Sequence, residues 1–334
     1  MKPKIENVLW VLYKYFDEQL FDQLLKSKGI AYYVSDIIKE KDIQTIKQHI
    51  QTIIENRTQL KKLKGIPQVK QRSEEWFALR QNRLTASDTG QAMNRGHYGS
   101  RAKLVLNKAF PETVVFNSNS PPLKHGTMFE PMSCRCYAQR NGNIKINEFG
   151  VLPHPELECY GASPDGITEL GVLIEIKTPW RRKVNGEILD QYELQMQGQM
   201  AVTGLNECDF IDCEIEVIES EETYIKNVGV AVKQDHGIIL ENFATKEYFY
   251  SPEDLSPLEC IEWKNKQNKN YKVIYWKLRK IYIERIYFDK KRWETELVPA
   301  IQSFWNDVLK MRSETVSPKE PEKTFQFIDS DDDS

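Results

Sequence analysis

The sequence lacks any long hydrophobic run. No apolar stretch approaches the roughly 20 residues that a membrane-spanning helix needs. The first residues lead into mixed polar sequence and not into the apolar core of a signal peptide. Hydrophobic residues nevertheless make up 40% of the 334 residues, which is enough for a sizeable core. We therefore expect a globular, soluble, intracellular protein with no membrane partner.

Cysteine is scarce and irregularly spaced. The six cysteines form no CxxC pair and no grouped C-terminal set. This spacing argues against a disulfide framework, a zinc site and an iron–sulfur cluster. Cys134 and Cys136 stand two apart on a predicted helix, where their side chains point to different faces. We expect free, mostly buried thiols.

A surplus of positive charge is also missing. The chain has 46 Lys and Arg against 49 Asp and Glu, a net charge of −3, whereas phosphate binding favours Lys and Arg. The average hides an uneven distribution, because residues 329–333 place four acids in the C-terminal tail. Basic residues cluster at 61–64, 181–183, 264–272 and 290–292. Each cluster alone is more typical of a solvated face than of a ligand site.

Three segments of the chain differ in character. Residues 1–64 repeat apolar positions at helical spacing, which predicts a helical N-terminal extension. Gly65-Ile66-Pro67 breaks this pattern and marks the start of a main domain over residues 65–312. The tail over residues 313–334 is polar, acidic and contains proline, which predicts disorder.

Helical and strand patterns are mixed within the main domain. Ser73 and Ser87 each stand where a helix is expected to begin. Longer helices are predicted at residues 121–140, 190–203 and 292–311. Strands are predicted at residues 144–152, 157–162, 171–177 and 207–217. This order favours an α/β (α+β) fold with a mixed sheet.

The most informative stretch is Ser163-Pro164-Asp165-Gly166, followed by Leu173-Ile174-Glu175-Ile176-Lys177. Side chains alternate between the two faces of a strand. Glu175 and Lys177 therefore share one face, while Ile174 and Ile176 point to the opposite, buried side. A polar pair on an otherwise apolar strand requires a reason.

A magnesium site is one such reason. Mg²⁺ prefers oxygen ligands and is usually held by one or two carboxylates with water and substrate phosphate, which Asp165 and Glu175 match. A lysine beside such a site can orient an attacking water or stabilise charge on the phosphate. In the alternative, residues 163–166 are only a turn, and Glu175 with Lys177 is an exposed surface pair. Motif by motif, the two interpretations stay equally open.

Several motifs in series narrow the choice. Glu175-Ile176-Lys177 follows Asp165 by ten positions, a spacing that resembles the active-site signature of the PD-(D/E)XK nuclease superfamily. The wider pattern, over residues 72–215, resembles the YqaJ-type, lambda-exonuclease-like viral recombinases. The motifs are EWFALR at 75–80, LTAS at 84–87, HGTMFE at 125–130, SPDG at 163–166, IEIKTP at 174–179 and YELQMQ at 192–197.

The resemblance implies roles for individual residues. It implies a PD-(D/E)XK core, in which helices flank a central mixed sheet, and Mg²⁺ as cofactor, with Mn²⁺ as a substitute. The implied metal-binding residues are Glu130, Asp165, Glu175 and Ile176. The implied catalytic residues are Asp165, Glu175, Lys177, Glu130 and Gln195.

The resemblance also implies a DNA-binding surface. Arg80 and Ser87 would hold the 5′-phosphate, a task that suits a guanidinium beside a helix start. Trp180, Arg181 and Arg182 follow the catalytic strand directly, where an aromatic among cations can grip a phosphate or stack on a base. His125 is interpreted as structural.

We therefore predict a metal-dependent exonuclease that acts on linear duplex DNA from 5′ ends, in viral recombination, repair or replication. Two alternatives remain: the same site acting on RNA or at internal bonds, and a DNA-binding scaffold without catalysis. The resemblance further implies a homotrimer, a single-strand annealing protein as partner, and a location in the cytoplasm or nucleus of an infected cell.

Overall fold

The computed structural model describes residues 40–97, 99–114, 120–228, 235–267 and 270–314. The predictions for residues 1–39 and for most of the acidic tail, from 315 onward, lie outside the described residues. None of the described helices is both long and apolar enough to cross a membrane.

Helices are distributed over the whole described chain. Their bounds are α1 Glu40–Lys64, α2 Glu74–Gln81, α3 Thr89–Ala92, α4 Arg101–Ala109, α5 Pro121–Arg140, α6 Asp190–Thr203, α7 Glu221–Val228, α8 Pro257–Asn265, α9 Lys290–Arg292 and α10 Val298–Ser313. Short 3-10 turns lie at Ala86–Asp88 and Pro111–Thr113, and a π-helical turn at Trp293–Leu297 joins α9 to α10. The predicted helices over residues 121–140 and 190–203 are confirmed.

Most of the residues in strands lie in the second half of the chain. Their bounds are β1 Leu84–Thr85, β2 Ile146–Asn147, β3 Leu152–Pro153, β4 Tyr160–Ala162, β5 Gly166–Thr168, β6 Leu173–Lys177, β7 Glu207–Ile218, β8 His236–Asn242, β9 Tyr248–Tyr250 and β10 Tyr271–Tyr287. The continuous strand predicted over 144–152 is wrong. Two short strands replace it, and they belong to different sheets.

A mixed sheet of seven strands is the centre of the fold. Its strand order is β2-β5-β6-β7-β10-β8-β9, in which β6 and β7 are parallel and the other neighbours antiparallel. A second sheet has the order β1-β4-β3. The predicted α/β (α+β) fold class, with a mixed sheet flanked by helices, is confirmed.

Two hydrophobic clusters lie on opposite faces of the central sheet. On one face, Leu173 and Phe210 pack with residues of α1, α6 and α10. On the other face, Ile174, Ile176 and Ile211 pack with residues of α5. This arrangement follows from the alternation of side chains along β6 and β7. It places the polar positions of β6 against α6.

The C-terminal half of α1 belongs to the main core. Leu60 and Leu63 are buried in the same cluster as Leu173. The Gln59 side-chain amide donates to the carbonyl oxygen of Thr203, the last residue of α6, at 2.6 Å. α1 ends at Lys64, where the sequence predicts a boundary, yet its last turns pack on the core of the main domain.

Candidate active site

The strand β6 carries a buried acid–lysine pair. The Lys177 Nζ lies 2.9 Å from Glu175 Oε1. Glu175 is 1% exposed and Lys177 is 7% exposed. An exposed surface pair, the alternative interpretation of these residues, is therefore wrong. Burial of two charges costs free energy even when they are paired. A buried pair therefore requires a structural or chemical purpose.

Asp165 joins this pair from the start of β5. Its Oδ2 accepts a hydrogen bond from the backbone N–H of Ile176 at 2.7 Å, which ties it to the strand that carries Glu175. Burial raises the pKa of the Asp165 carboxyl well above its ordinary value, and the negative charges of Glu175 and Glu130 raise it further. Asp165, Glu175 and Glu130 thus form one cluster of acidic side chains, here called the acid group.

Glu130 reaches the group from the other face of the sheet. Its helix, α5, begins after Ser120 with two prolines in the first turn and ends at Arg140, with Asn141 as its C-cap. These signals are all local in sequence. Glu130 is close enough to raise the pKa of both Asp165 and Cys134. Its carboxylate binds the Arg72 guanidinium at 2.6 Å.

Two glutamines of α6 hold Glu175 from above the sheet. Gln195 Nε2 donates to Glu175 Oε1 at 2.8 Å, and Gln199 Nε2 donates to Oε2 at 2.6 Å. The ring of Tyr192, from the same helical face, lies 4.6 Å from Lys177 Nζ. Gln199 stands four positions after Gln195 and therefore lies on the same helical face. Its contact with Glu175 becomes visible only when the sheet and the helix are packed together.

The donor set suits a hard divalent cation. Asp165, Glu175 and Glu130 offer carboxylate oxygens, and the mutual repulsion that raises the pKa of Asp165 is what a bound cation relieves. The Gln199 Oε1 is buried and has no hydrogen-bond partner among the described residues. Within those residues, however, no three His, Cys, Asp or Glu side chains converge at metal-binding distance. The residues fit the ion in charge and chemistry.

Ile176 can contribute to such a site only through its backbone. Its side chain is buried in the apolar cluster on the α5 face, and its N–H already donates to Asp165. The carbonyl is the remaining oxygen donor of this residue.

Arg80 and Ser87 are brought together at the end of α2. The Arg80 guanidinium donates to Ser87 Oγ at 2.9 Å and stacks over the Trp76 ring, 4.4 Å from its centroid. Trp76 Nε1 donates to Ser163 Oγ at 3.0 Å, two residues before Asp165. This chain of contacts connects the predicted phosphate site to the acid group.

A buried polar network contacts both Arg80 and Ser87. Lys108 Nζ lies 2.9 Å from Asp88 Oδ2 and donates to the Arg80 carbonyl at 2.8 Å. Thr85 Oγ1 donates to Asp88 at 2.8 Å and lies 3.1 Å from Ser87 Oγ. Asp88 and Lys108 were not predicted, because they stand 20 positions apart and no local pattern pairs them.

The segment after β6 is only partly available to DNA. Arg182 binds Asp212 through both terminal nitrogens at 2.9 Å, and Asp212 is fully buried. Arg182 therefore anchors this segment to β7. Arg181 is exposed and stacks over Trp180 at 4.1 Å. The substrate-binding roles of Trp180, Arg181 and Arg182 stay predictions, and the first two have the more suitable positions.

His125 packs inside the protein. Its Nδ1 donates to the Thr178 carbonyl at 3.1 Å, and its ring lies 4.7 Å from that of Phe129. These contacts agree with the structural interpretation of this histidine.

The mixed sheet carries Glu175 and Lys177 on β6, with Asp165 immediately before β5, which is the arrangement that the resemblance to PD-(D/E)XK nucleases implies. Residues 75–206 match the YqaJ-like viral recombinase domain. The match confirms the resemblance inferred from the motifs.

Similarity to individual proteins extends over most of the chain. An uncharacterised protein of Acanthamoeba polyphaga mimivirus is 28% identical over 83% of this chain and 58% of its own length. The chain therefore spans less than two thirds of that viral relative.

Solved structures with some likeness to the chain include two kinds of exonuclease. An alkaline exonuclease from Laribacter hongkongensis is 22% identical, with a TM-score of 0.46, over 72% of this chain and 95% of the exonuclease. A complex of that exonuclease with dAMP gives 23% and 0.46, over the same shares of the two chains. A phage-related exonuclease from Haemophilus somnus gives 13% and 0.39, over 69% and 93%.

Proposed function

We propose that this chain is a Mg²⁺-dependent exonuclease, which hydrolyses the phosphodiester bonds of linear duplex DNA from 5′ ends in viral recombination, repair or replication. The observation that carries the proposal is the buried Glu175–Lys177 pair, tied to Asp165 through Ile176, inside a nuclease domain.

The residues divide the chemistry among them. Asp165, Glu175 and Glu130, with the Ile176 carbonyl, would hold the cation, which when bound supplies Lewis acidity and lowers the pKa of water. Lys177 orients the attacking water and stabilises negative charge on the phosphate. Gln195 and Gln199 are positioning residues, because they fix both carboxylate oxygens of Glu175.

The 5′ end is recognised at Arg80 and Ser87. A guanidinium and a hydroxyl 2.9 Å apart can both donate to one terminal phosphate. Their link to Ser163 through Trp76 supports a phosphate site beside the acid group. Trp180 and Arg181 are exposed enough to contact the DNA that follows.

The first test is degradation of end-labelled linear duplex DNA in Mg²⁺, with covalently closed circular DNA beside it. We expect wild type to degrade only the linear form, and EDTA to stop the reaction. Glu175→Gln and Lys177→Met should each lower the rate at least about 100-fold, as loss of an electrostatic or acid–base group does.

Matched controls are Glu262→Gln and Lys266→Ala, because both residues are exposed on or next to α8. Both controls should degrade linear DNA like wild type. Cleavage of closed circles would identify an endonuclease, and degradation of RNA in preference to DNA would change the substrate. Intact DNA with wild type, together with DNA binding, would instead favour the scaffold without catalysis.

A second test concerns the 5′-phosphate. Wild type should degrade 5′-phosphorylated duplex faster than 5′-hydroxyl duplex, and Arg80→Gln should reduce this preference roughly tenfold, the loss of a charge-assisted hydrogen bond. Initial rates on the two substrates measure the ratio. Arg279→Gln, at a 58% exposed side chain elsewhere, is the control. An unchanged ratio in Arg80→Gln contradicts this role.

The proposed setting is an infected cell, in the cytoplasm or nucleus, with a single-strand annealing protein as partner. A homotrimer around the DNA belongs to the same proposal. Light scattering of the purified full chain measures its mass, and a monomer would contradict the trimer.

A further inference from the structure

A pocket lies beside the acid group, between α5 and the edge strand β9. Its volume is about 340 Å³, within the roughly 300–1,000 Å³ of small-ligand sites. One wall is the turn of α5 that contains Thr127 and Pro131, and the other is β9 with the preceding Glu247. Arg72 also lines the pocket.

None of the three acidic residues of the acid group lines the pocket, but Arg72 connects the two. Arg72, which lines the pocket, binds Glu130 at 2.6 Å. Tyr250, from the opposite wall, donates its hydroxyl hydrogen to the Met128 carbonyl at 3.1 Å. Whatever occupies the pocket is therefore held next to Glu130, one of the residues proposed to hold the cation.

The pocket combines the two groups that bind an unpaired nucleotide. Aromatic rings stack on bases of any sequence, and a guanidinium binds the phosphate. Tyr248 and Tyr250, which share one face of β9, supply the rings, whereas the Phe249 ring packs against Tyr271 at 5.5 Å. β9 is the last strand of the sheet, so no further strand covers it among the described residues. The Arg72 side chain is 45% exposed.

The backbone at Arg72 is unusual as well. Its φ is +65°, in the left-handed region that residues other than glycine rarely adopt. Arg72 stands immediately before Ser73, which caps α2. Such strained conformations tend to occur where a side chain must be aimed at a functional site. Here the result is a guanidinium that lies between the acid group and the aromatic rings.

We propose that this pocket binds one unpaired nucleotide of the DNA strand at the acid group, with the base against the rings of β9 and the phosphate on Arg72. A single nucleotide is favoured over a base pair, because the volume suits one nucleoside and ring faces stack only on an unstacked base. The proposal rests on the nuclease function proposed above.

Binding is measured with the full chain in EDTA, so that no cleavage occurs. The probe is a single-stranded oligonucleotide with a fluorescent 2-aminopurine base at its 5′ end. Stacking on the rings should quench the probe, and Tyr248→Ala should weaken binding about tenfold, as loss of one stacking ring does. Tyr248→Phe should bind like wild type, since it keeps the ring.

Phe243→Ala is the matched control, because Phe243 is an aromatic residue 59% exposed that does not line the pocket. It should bind like wild type, and thermal unfolding should show that all variants are folded. Equal binding and quenching in wild type and Tyr248→Ala overturns the proposal, as does equal weakening in Phe243→Ala.

The phosphate contact has its own test. Thymidine 5′-monophosphate should displace the probe at least tenfold better than thymidine, and Arg72→Gln should remove this difference. Equal competition by the two ligands in wild type overturns the assignment of Arg72.

Cleavage of linear duplex DNA by wild type in Mg²⁺ separates this proposal from the proposed function. If wild type cleaves and Tyr248→Ala binds normally, only the pocket proposal fails. If wild type binds through Tyr248 and Arg72 but never cleaves, the nuclease function fails and the nucleotide pocket stands.

Discussion

At the scale of single residues, the pair Asp88 and Lys108 is central to the candidate phosphate site. Their side chains are only 8% and 7% exposed. Burial alone would raise the pKa of Asp88, but the positive charges of Lys108 and Arg80 and the attached hydrogen bonds hold that pKa below its ordinary value. Lys108 also donates to the carbonyl of Arg80. The pair therefore stabilises the fold and the end of α2 together.

Removing one partner of this pair should be costly. Asp88→Leu leaves a buried ammonium without its counter-ion, so we expect a loss of about 3–5 kcal/mol in the free energy of unfolding. Urea denaturation measures it.

The double variant Asp88→Leu/Lys108→Met is the internal control for that experiment. It should recover much of the loss, because neither charge is then left buried. A loss in the double variant equal to the sum of the two single losses would show that the two residues are not coupled.

At the scale of elements, α6 must approach β4 of the second sheet very closely. Gly198 stands between Gln195 and Gln199, the two residues that hold Glu175. A methyl group at Gly198 would overlap the Tyr160 hydroxyl and lie 3.1 Å from its Cζ. That hydroxyl is already bound to Thr89 at 2.7 Å. The absence of a side chain at 198 thus sets the position of both glutamines.

Gly198→Ala should therefore destabilise the protein, although alanine is the better helix former by about 1 kcal/mol. We expect a loss of about 1–3 kcal/mol, the usual cost of overpacking, and a lower nuclease rate because Gln195 and Gln199 move. Denaturation and DNA degradation measure the two effects. Tyr160→Phe in the same chain removes the overlapping oxygen and should restore part of both; no restoration would contradict this account.

The elements that sequence predicted well carry their signals locally. α5 and α6 begin and end where prolines, Asn141 and Gly204 indicate. The strand β10 was missed, although its sequence is rich in β-branched and aromatic residues, which strands favour. Its partners β7 and β8 are distant in sequence, so pairing could not be inferred from any short window. The two short strands within residues 144–152 separate because each finds a different partner.

At the scale of the whole molecule, α1 and the main domain share a core. Leu60 and Leu63 of α1 are 5% and 4% exposed, in the cluster that also contains Leu173 and Leu194. Leu173 stands two residues before Glu175, on the same face of β6. The packing of α1 therefore reaches the strand that carries Glu175 and Lys177.

Leu60→Ala should lower the stability of the main domain by about 2–4 kcal/mol through the cavity that it leaves. The loss should appear in one cooperative unfolding transition, because both parts belong to one core. Lys62→Ala, at an exposed position of the same helix, should change stability by less than about 0.5 kcal/mol. A separate, early transition in Leu60→Ala would mean that α1 folds independently of the domain.

The sequence by itself determined the components of this site, because those signals depend on near neighbours. The alternation along a strand places Glu175 and Lys177 on one face, and helical spacing aligns Gln195 with Gln199. Only the tertiary structure decided which distant groups satisfy them. Arg182 is bound to Asp212 on β7, Arg72 meets Glu130, and Asp88 pairs with Lys108. For Asp212 and for the pair Asp88 and Lys108 the physical reason is burial, since a charge removed from water requires a counter-ion from whichever element packs against it.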